Sequence, residues 1–344
     1  MSDSPLRLTI DGAALVANWR WYAARSEKAA CGAAVKANGY GLGARDVVAR
    51  LAAAGCRDFF VSSWDEAEAL GPLDDGLSLS VLHGLREADL PRALAGRVRP
   101  VLNTTGMVAR WKAAAGDRPC DLMVDTGMNR LGLSPAEAGS EVVDGLRIAT
   151  LMSHLACADT PEHPLNAVQA ERFAALTGVV AAERYSLSNS AGICLGAAYR
   201  FDLTRPGIGL YGGEPGPGAE PLPVVGLSAE VLQVRAVEAG DAVGYGADFV
   251  ASGPMQVATL NIGYADGYRR AFAGVGTAVV GGEVRPLIGR VSMDLVAVDV
   301  TGCDVVEGDW VGLEYHLPTA SALTGVSQYE LLTGLGRRYA RNWV

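Results

Sequence analysis

Between Cys31 and about Gly207 the sequence repeats one theme, a short apolar, β-rich run followed by a longer stretch with helical spacing. The pairs are GAAVKAN with ARDVVARLAAAG, CRDFFVSS with WDEAEAL, LSLSVLHG with EADLPRALAG, VRPVLN with TGMVARWKAAAG, CDLMVDT with SPAEAGSEV, and LRIATLMSHLA with LNAVQAERFAALTG. RYSLSNS with a short AGICLG turn, then FDLTRPGIGLYG, complete the series. Eight strand candidates in about 175 residues fit an α/β fold of the (β/α)8 TIM-barrel type better than an open doubly wound sheet. Closure is not written in local sequence, so an open parallel sheet stays as the alternative.

From about Val224 the texture changes to valine-rich runs cut by Gly and Asp turns: VVGLSAEVLQVRAV, PMQVATLNI, GTAVVGGEVRPLIGRVSMDLVAVDV and DWVGLEY. These runs predict a mostly antiparallel C-terminal β domain. The Pro/Gly-rich segment Gly212 to Pro223 reads as the hinge, giving a barrel over 1–223 and a β domain over 224–344. A chain of 344 residues exceeds one ordinary core, which agrees with a large barrel plus a second unit.

Several function classes are disfavoured. A net charge of -9 argues against a nucleic-acid partner or an anionic membrane surface, though local arginines can still hold a small anion. No apolar stretch reaches the ~20 residues of a membrane helix. MSDSPLRLTIDG lacks a basic segment followed by an apolar one, so a cytoplasmic location is the expectation. The six cysteines are scattered singly, without C-x-x-C or a His/Cys cluster, and predict reduced thiols and no metal.

Lysine usage points to chemistry. Only Lys28, Lys36 and Lys112 occur among 29 basic residues, and Lys36 alone lies in an apolar, glycine-rich run, CGAAVKANGYGLG. A primary amine can lose its proton and condense with a carbonyl, which guanidinium cannot. The plain alternative is a snorkelling strand residue in an arginine-biased chain. In a parallel barrel, functional groups gather where strands end. Lys36 ends the first strand, Asp125 and Arg130 the fifth, His154 the sixth, Asn189 and Ser190 the seventh and Arg205 the eighth. Singly, His154 reads equally as a core histidine, and Arg130 or Arg205 as half of an ion pair. Together, a lysine, two arginines, a histidine and a Ser/Gly-rich nest describe a pocket for a cofactor with an aldehyde and a phosphate, pyridoxal 5'-phosphate bound as a Schiff base. The RPGIG glycines, Ser190 and Tyr40 supply donors for the phosphate.

The blocks AAVKANGYG, VDTGMNRLG, MSHLACAD, SNSAG, TRPGIGLYG, NIGYADGYRR and GRVSMDLV run from near residue 33 to nearly residue 300. In this order they resemble the bacterial alanine racemases, fold-type III pyridoxal-phosphate enzymes. The resemblance implies that Lys36 bonds the cofactor and acts as the base on the D face, with Tyr264 as the opposed base on the L face. A phenol at its free pKa of ~10 needs a cationic neighbour to act as a base, with Arg130 or the Arg205/His154 chain as candidates. Arg205 matches the partner of the pyridine nitrogen. As a donor only, it keeps that nitrogen unprotonated and restrains decarboxylation and transamination. Arg130, Met293 and Asp294 match the surroundings of the substrate carboxylate. Tyr40, Asn189, Ser190, Gly207 and Ile208 match the cofactor and phosphate cradle. The resemblance also implies a homodimer with shared sites, Tyr264 and Met293 acting across subunits, and D-alanine supply for peptidoglycan.

Three positions depart from the family pattern. Met123 stands where many members carry a carbamylated lysine that orients the arginine, Leu42 replaces a histidine, and Arg337 stands where some members place a phosphate-contacting tyrosine. Arg337 or Tyr339 is the candidate for that contact. Met123 keeps a serine or broad-specificity racemase open as the nearest rival. A fold-type III decarboxylase would want a carboxylate in place of Arg205, and a non-catalytic cofactor carrier would not need Tyr264.

Overall fold

Strands buried on both faces read as near-continuous apolar runs. The computed structural model, which describes residues 4–344, has such runs in a parallel unit formed by residues 16–210 and 214–221. Ala33–Ala34, Asp58–Val61, Ser78–Val81, Arg99–Leu102, Cys120–Met123, Ile148–Met152 and Arg184–Ser186 lie side by side in chain order. Cys120–Met123 and Ile148–Met152 are buried at every position. Leu203–Thr204 closes the ring. It pairs in parallel with Ala30–Cys31 on one side, and on the other Asp202 N donates to Tyr185 O at 3.0 Å and Arg205 N to Ser188 O at 2.8 Å. Only Gly32 separates Ala30–Cys31 from Ala33–Ala34, so the strands form a closed (β/α)8 barrel and the open-sheet alternative falls.

The two ends of this barrel differ chemically. At the strand beginnings, Arg184 pairs with Asp58 at 2.6 Å and Arg99 with Asp121 at 3.2 Å, so ion pairs fill the interior there. The strand ends are left for the functional groups. Outer helices start on side-chain caps: Ser63 accepts from Glu66 N before Trp64–Leu70, and Thr104 from Met107 N before Thr105–Ala115. No helix among the described residues is long and apolar enough to cross a membrane.

The other unit comprises residues 4–15, 211–213 and 222–344. Its spine is the 13-residue strand Val225–Val237. An irregularity between Val231 and Gln233 lets its first part pair with Trp310–Leu313 and its second with Met255–Leu260. Val296–Asp299, Glu283–Ile288 and Thr277–Val280 complete an antiparallel ring between those two partners. Leu6–Ile10 joins the same sheet, antiparallel to Val225–Val237 and parallel to Ala340–Trp343.

Residues 6–10 thus pair with strands of the C-terminal sheet. The reason is visible in LRLTI. Leu6, Leu8 and Ile10 are buried while Arg7 is exposed, with its guanidinium 3.3 Å from the Trp310 ring centroid. A strand with one wet face suits an antiparallel sheet and not a parallel barrel covered on both sides.

Candidate active site

Lys36 follows the first barrel strand, but the chain does not run on as an extended strand. Ala37, Asn38, Gly39 and Tyr40 all have φ between 52° and 63°, and Gly41 has φ 89°. Glycine and asparagine tolerate this left-handed region; Ala37 and Tyr40 do so at about 1–2 kcal/mol each. The surroundings hold the turn in place. Gly39 N donates to Val35 O at 2.8 Å, Gly43 N to Asn38 O at 2.9 Å, Ala44 N to Asn38 Oδ1 at 3.0 Å and Ala37 N to Glu66 Oε1 at 2.7 Å. Backbone strain maintained this way is typical of functional positions. Lys36 itself is half-buried. Burial first, then the Arg130 cation, lowers its pKa below the usual lysine value, against an opposing pull from Glu66.

His154 and Arg205 belong to the same electrostatic group. Burial first, then Arg205, Arg130 and Lys36, push His154 down to about 3, so its imidazole is neutral at neutral pH. Burial also lowers Arg205 to about 10, with Asp121 opposing, so the guanidinium stays charged. Arg205 donates to Ser186 Oγ and, at 2.6 Å, to Ser153 O. Asp125 organises the Arg130 loop, its Oδ1 accepting from Gly127 N and Met128 N and its Oδ2 from Arg130 N at 3.0 Å. Although burial would raise the Asp125 pKa, these amides outweigh it and keep the carboxyl ionised. Met123 is buried among Phe60, Val101, Met152 and Leu203, so it offers Arg130 no acceptor. The Arg130 guanidinium, exposed to solvent, has no hydrogen bond or ion pair among the described residues.

Ser190, Gly207 and Tyr40 lie together at the end of the barrel. Ser190 Oγ accepts from Gly207 N at 2.8 Å and Gly209 N at 3.4 Å, leaving its own proton to donate. Asn189 fixes Ser190 by accepting from Gly192 N at 2.9 Å. A Cβ at position 207 would lie 2.3 Å from the buried Tyr40 hydroxyl, so glycine is what lets tyrosine reach this backbone. Ile208 is buried beside it in sequence. A half-buried amine of lowered pKa, a hydroxyl already bonded to two amides and nearby arginines fit a ligand with an aldehyde and a phosphate. A cleft of about 490 Å³ beside helix Trp64–Leu70 includes none of these residues.

In the antiparallel unit Tyr264 and Met293 are brought together by the backbone. Tyr264 N donates to Ser292 O at 3.0 Å and Ala265 N to Met293 O at 2.9 Å. Both side chains are exposed. Arg338 forms ion pairs with Asp294 at 2.8 Å and with the buried Asp266 at 2.7 Å, tying the Tyr264 turn to the Met293 loop. Tyr339 is buried, and its hydroxyl is unpartnered among the described residues; Arg337 is exposed. Tyr268 is buried against Phe272, and Tyr245 is exposed.

Sequence reasoning missed Glu66, Gln169 and Arg338. Gln169, fully buried, accepts from Ala156 N at 2.9 Å and donates to His154 O at 2.9 Å and Thr126 Oγ1 at 3.3 Å, joining two strand-end loops. A buried glutamine position within LNAVQAERFA was the available hint.

The chain matches family models for the alanine racemase N-terminal domain over residues 10–215 and the C-terminal domain over residues 224–343. It is 44% identical to an alanine racemase from Methylobacterium nodulans, over 100% of this chain and 97% of that protein. It is 45% identical to one from Dinoroseobacter shibae, over 98% and 97%. A crystal structure of alanine racemase from Bartonella henselae with covalently bound pyridoxal phosphate superposes with a TM-score of 0.91 at 35% identity, covering 100% of both chains. The biosynthetic alanine racemase from Pseudomonas aeruginosa gives 0.90 at 33%, covering 99% of each.

Proposed function

The chain belongs to the alanine racemase family, and from that premise we propose that it interconverts L-alanine and D-alanine with pyridoxal 5'-phosphate held by Lys36. The working form in this reading is a cytoplasmic homodimer in which Tyr264 of the partner subunit completes each site. Its product would serve peptidoglycan. When bound, the cofactor supplies an electron sink that acidifies the substrate Cα–H.

The protein does the rest. Racemisation needs two acid/base groups on opposite faces, because one proton leaves one face while another arrives on the other. Lys36, whose pKa burial and Arg130 depress, moves a proton on the D face. Tyr264 of the partner subunit moves one on the L face. Arg205 presents only donors to the pyridine nitrogen, which protects against decarboxylation and transamination. His154, neutral, adds no competing charge. Arg130 holds the substrate carboxylate with the backbone around Met293 and Asp294, while Tyr40, Ser190, Gly207 and Ile208 hold the phosphate and Asn189 contributes to the cofactor site.

One observation carries this reading. Lys36, Arg130, His154 and Arg205, far apart in sequence, gather at the strand ends of one barrel, where the Arg130 charge reaches Lys36 and the charges of Arg205, Arg130 and Lys36 reach His154. The test is Lys36→Ala on purified, cofactor-supplied protein. The visible absorption of a lysine-bound pyridoxal and all conversion seen by chiral chromatography should vanish together; an undiminished band rejects the lysine assignment. The same chromatography across serine and other amino acids measures substrate breadth.

A further inference from the structure

Glu66 lies outside the groups assigned to substrate or cofactor, yet both of its carboxylate oxygens are committed to backbone near Lys36. Oε1 accepts at 2.7 Å from Ala37 N, the amide directly after Lys36. Oε2 accepts at 2.7 Å from Ser62 N, directly after strand Asp58–Val61. The sequence Ser63-Trp64-Asp65-Glu66 has the form of a capping box, in which the glutamate would turn back to the amide of Ser63. Half of that box is present, since Ser63 Oγ accepts from Glu66 N at 3.3 Å. The carboxylate instead reaches out of its own helix to a turn 29 residues earlier in the chain. The turn it reaches is the left-handed one, where the backbone is least able to hold itself.

We propose that Glu66 is a positioning residue for the reaction: by holding the Ala37 amide it sets the aim of the Lys36 amine, and its charge opposes that of Arg130 at this amine. This rests on Lys36 being the cofactor-bearing base. Charge and geometry are separable here. A glutamine has one acceptor oxygen and cannot serve both amides. An aspartate keeps the charge but is one methylene short. At Lys36 the opposing influences are burial, Arg130 and Glu66, so removing the negative charge leaves the first two unbalanced.

The experiment compares wild type, Glu66→Gln and Glu66→Asp. In cofactor-free protein, the rate of Lys36 acylation by an amine-reactive reagent is followed against pH by mass spectrometry; in loaded enzyme, kcat and KM are measured. Glu66→Gln should shift the Lys36 labelling profile to lower pH, with at least about a threefold faster reaction near neutrality. Its kcat should fall about tenfold or more with little change in KM. Glu66→Asp should restore the labelling profile but not kcat. Melting temperatures accompany each variant, and if Glu66→Gln does not fold, Glu66→Asp alone decides through its loss of kcat with an intact profile. Wild-type profile and kcat in both variants, with or without a lower melting temperature, overturn the proposal. Labelling is read without cofactor, so it also judges Glu66 separately from the cofactor assignment, which stands or falls with Lys36→Ala.

Discussion

Gly263→Ala tests whether the backbone sets the position of Tyr264. Gly263 has φ -158°, an extended conformation open to any residue, so the substitution introduces a steric change without φ strain. A Cβ there would lie 2.3 Å from Met293 O and 2.5 Å from Asp294 N, where ordinary contact begins near 3.4 Å. Both are main-chain atoms, so no side chain can rotate away. The Tyr264 turn and the Met293 loop must separate by roughly 1 Å, stretching the bonds from Tyr264 N to Ser292 O and from Ala265 N to Met293 O. Overpacking of this kind costs about 1–3 kcal/mol of stability. A displacement of about 1 Å at a reacting group costs on the order of 100-fold in rate, or about 2.7 kcal/mol of barrier. The assay is chiral chromatography in both directions with a denaturant melt on the same sample. Gly226→Ala, whose Cβ would meet only Thr9 Cβ at 3.9 Å, is the control. Near wild-type kcat in Gly263→Ala would refute the argument, whatever the melt shows.

Three further outcomes are expected. Unfolded histidine binds its proton near pH ~6.5, whereas folded His154 does so at about 3. Its contribution is therefore present above the unfolded value and is lost as pH falls towards 3. Between those limits wild type should lose up to about 1.4 kcal/mol per pH unit more than His154→Asn in urea melts, and parallel losses would contradict the lowered pKa of His154. Ser190→Ala leaves the Gly207 and Gly209 amides without their acceptor and removes a donor. It should weaken pyridoxal phosphate binding about 10- to 100-fold, as followed by absorbance during dialysis. Mixing inactive Lys36→Ala and Tyr264→Phe subunits should restore some activity; none, despite demonstrated subunit exchange, counts against shared sites.

What sequence could and could not reveal divides on physical lines. Ile148–Met152 was legible because a strand buried on both faces is nearly all apolar, here with Thr150 as the one polar residue, and the strand ends then located Lys36, His154 and Arg205. Leu6–Ile10 is also recognisable as a strand from its alternation, but its partners at 225–229 and 340–343 are a matter of long-range register. The left-handed turn was half visible. Asn38 and Gly39 invite positive φ, while Ala37 and Tyr40 do not and accept it only because Glu66 and Gly207 make room and bonds for them. Glu66 and Gln169 were hidden for the opposite reason. Each sits in an ordinary helix, and only tertiary contact across 29 or 43 residues gives it a role.

The partnership of Leu6–Ile10 with Ala340–Trp343 has a bearing on biosynthesis. Ser4 and Arg338, 334 residues apart, are hydrogen-bonded, so the opening segment emerges from the ribosome long before its neighbour has been translated. The parallel strands, each pairing with the next one made, can assemble as they appear. Leu6–Ile10 must wait with an unfilled edge until residues 340–343 have been made, more than 300 residues later.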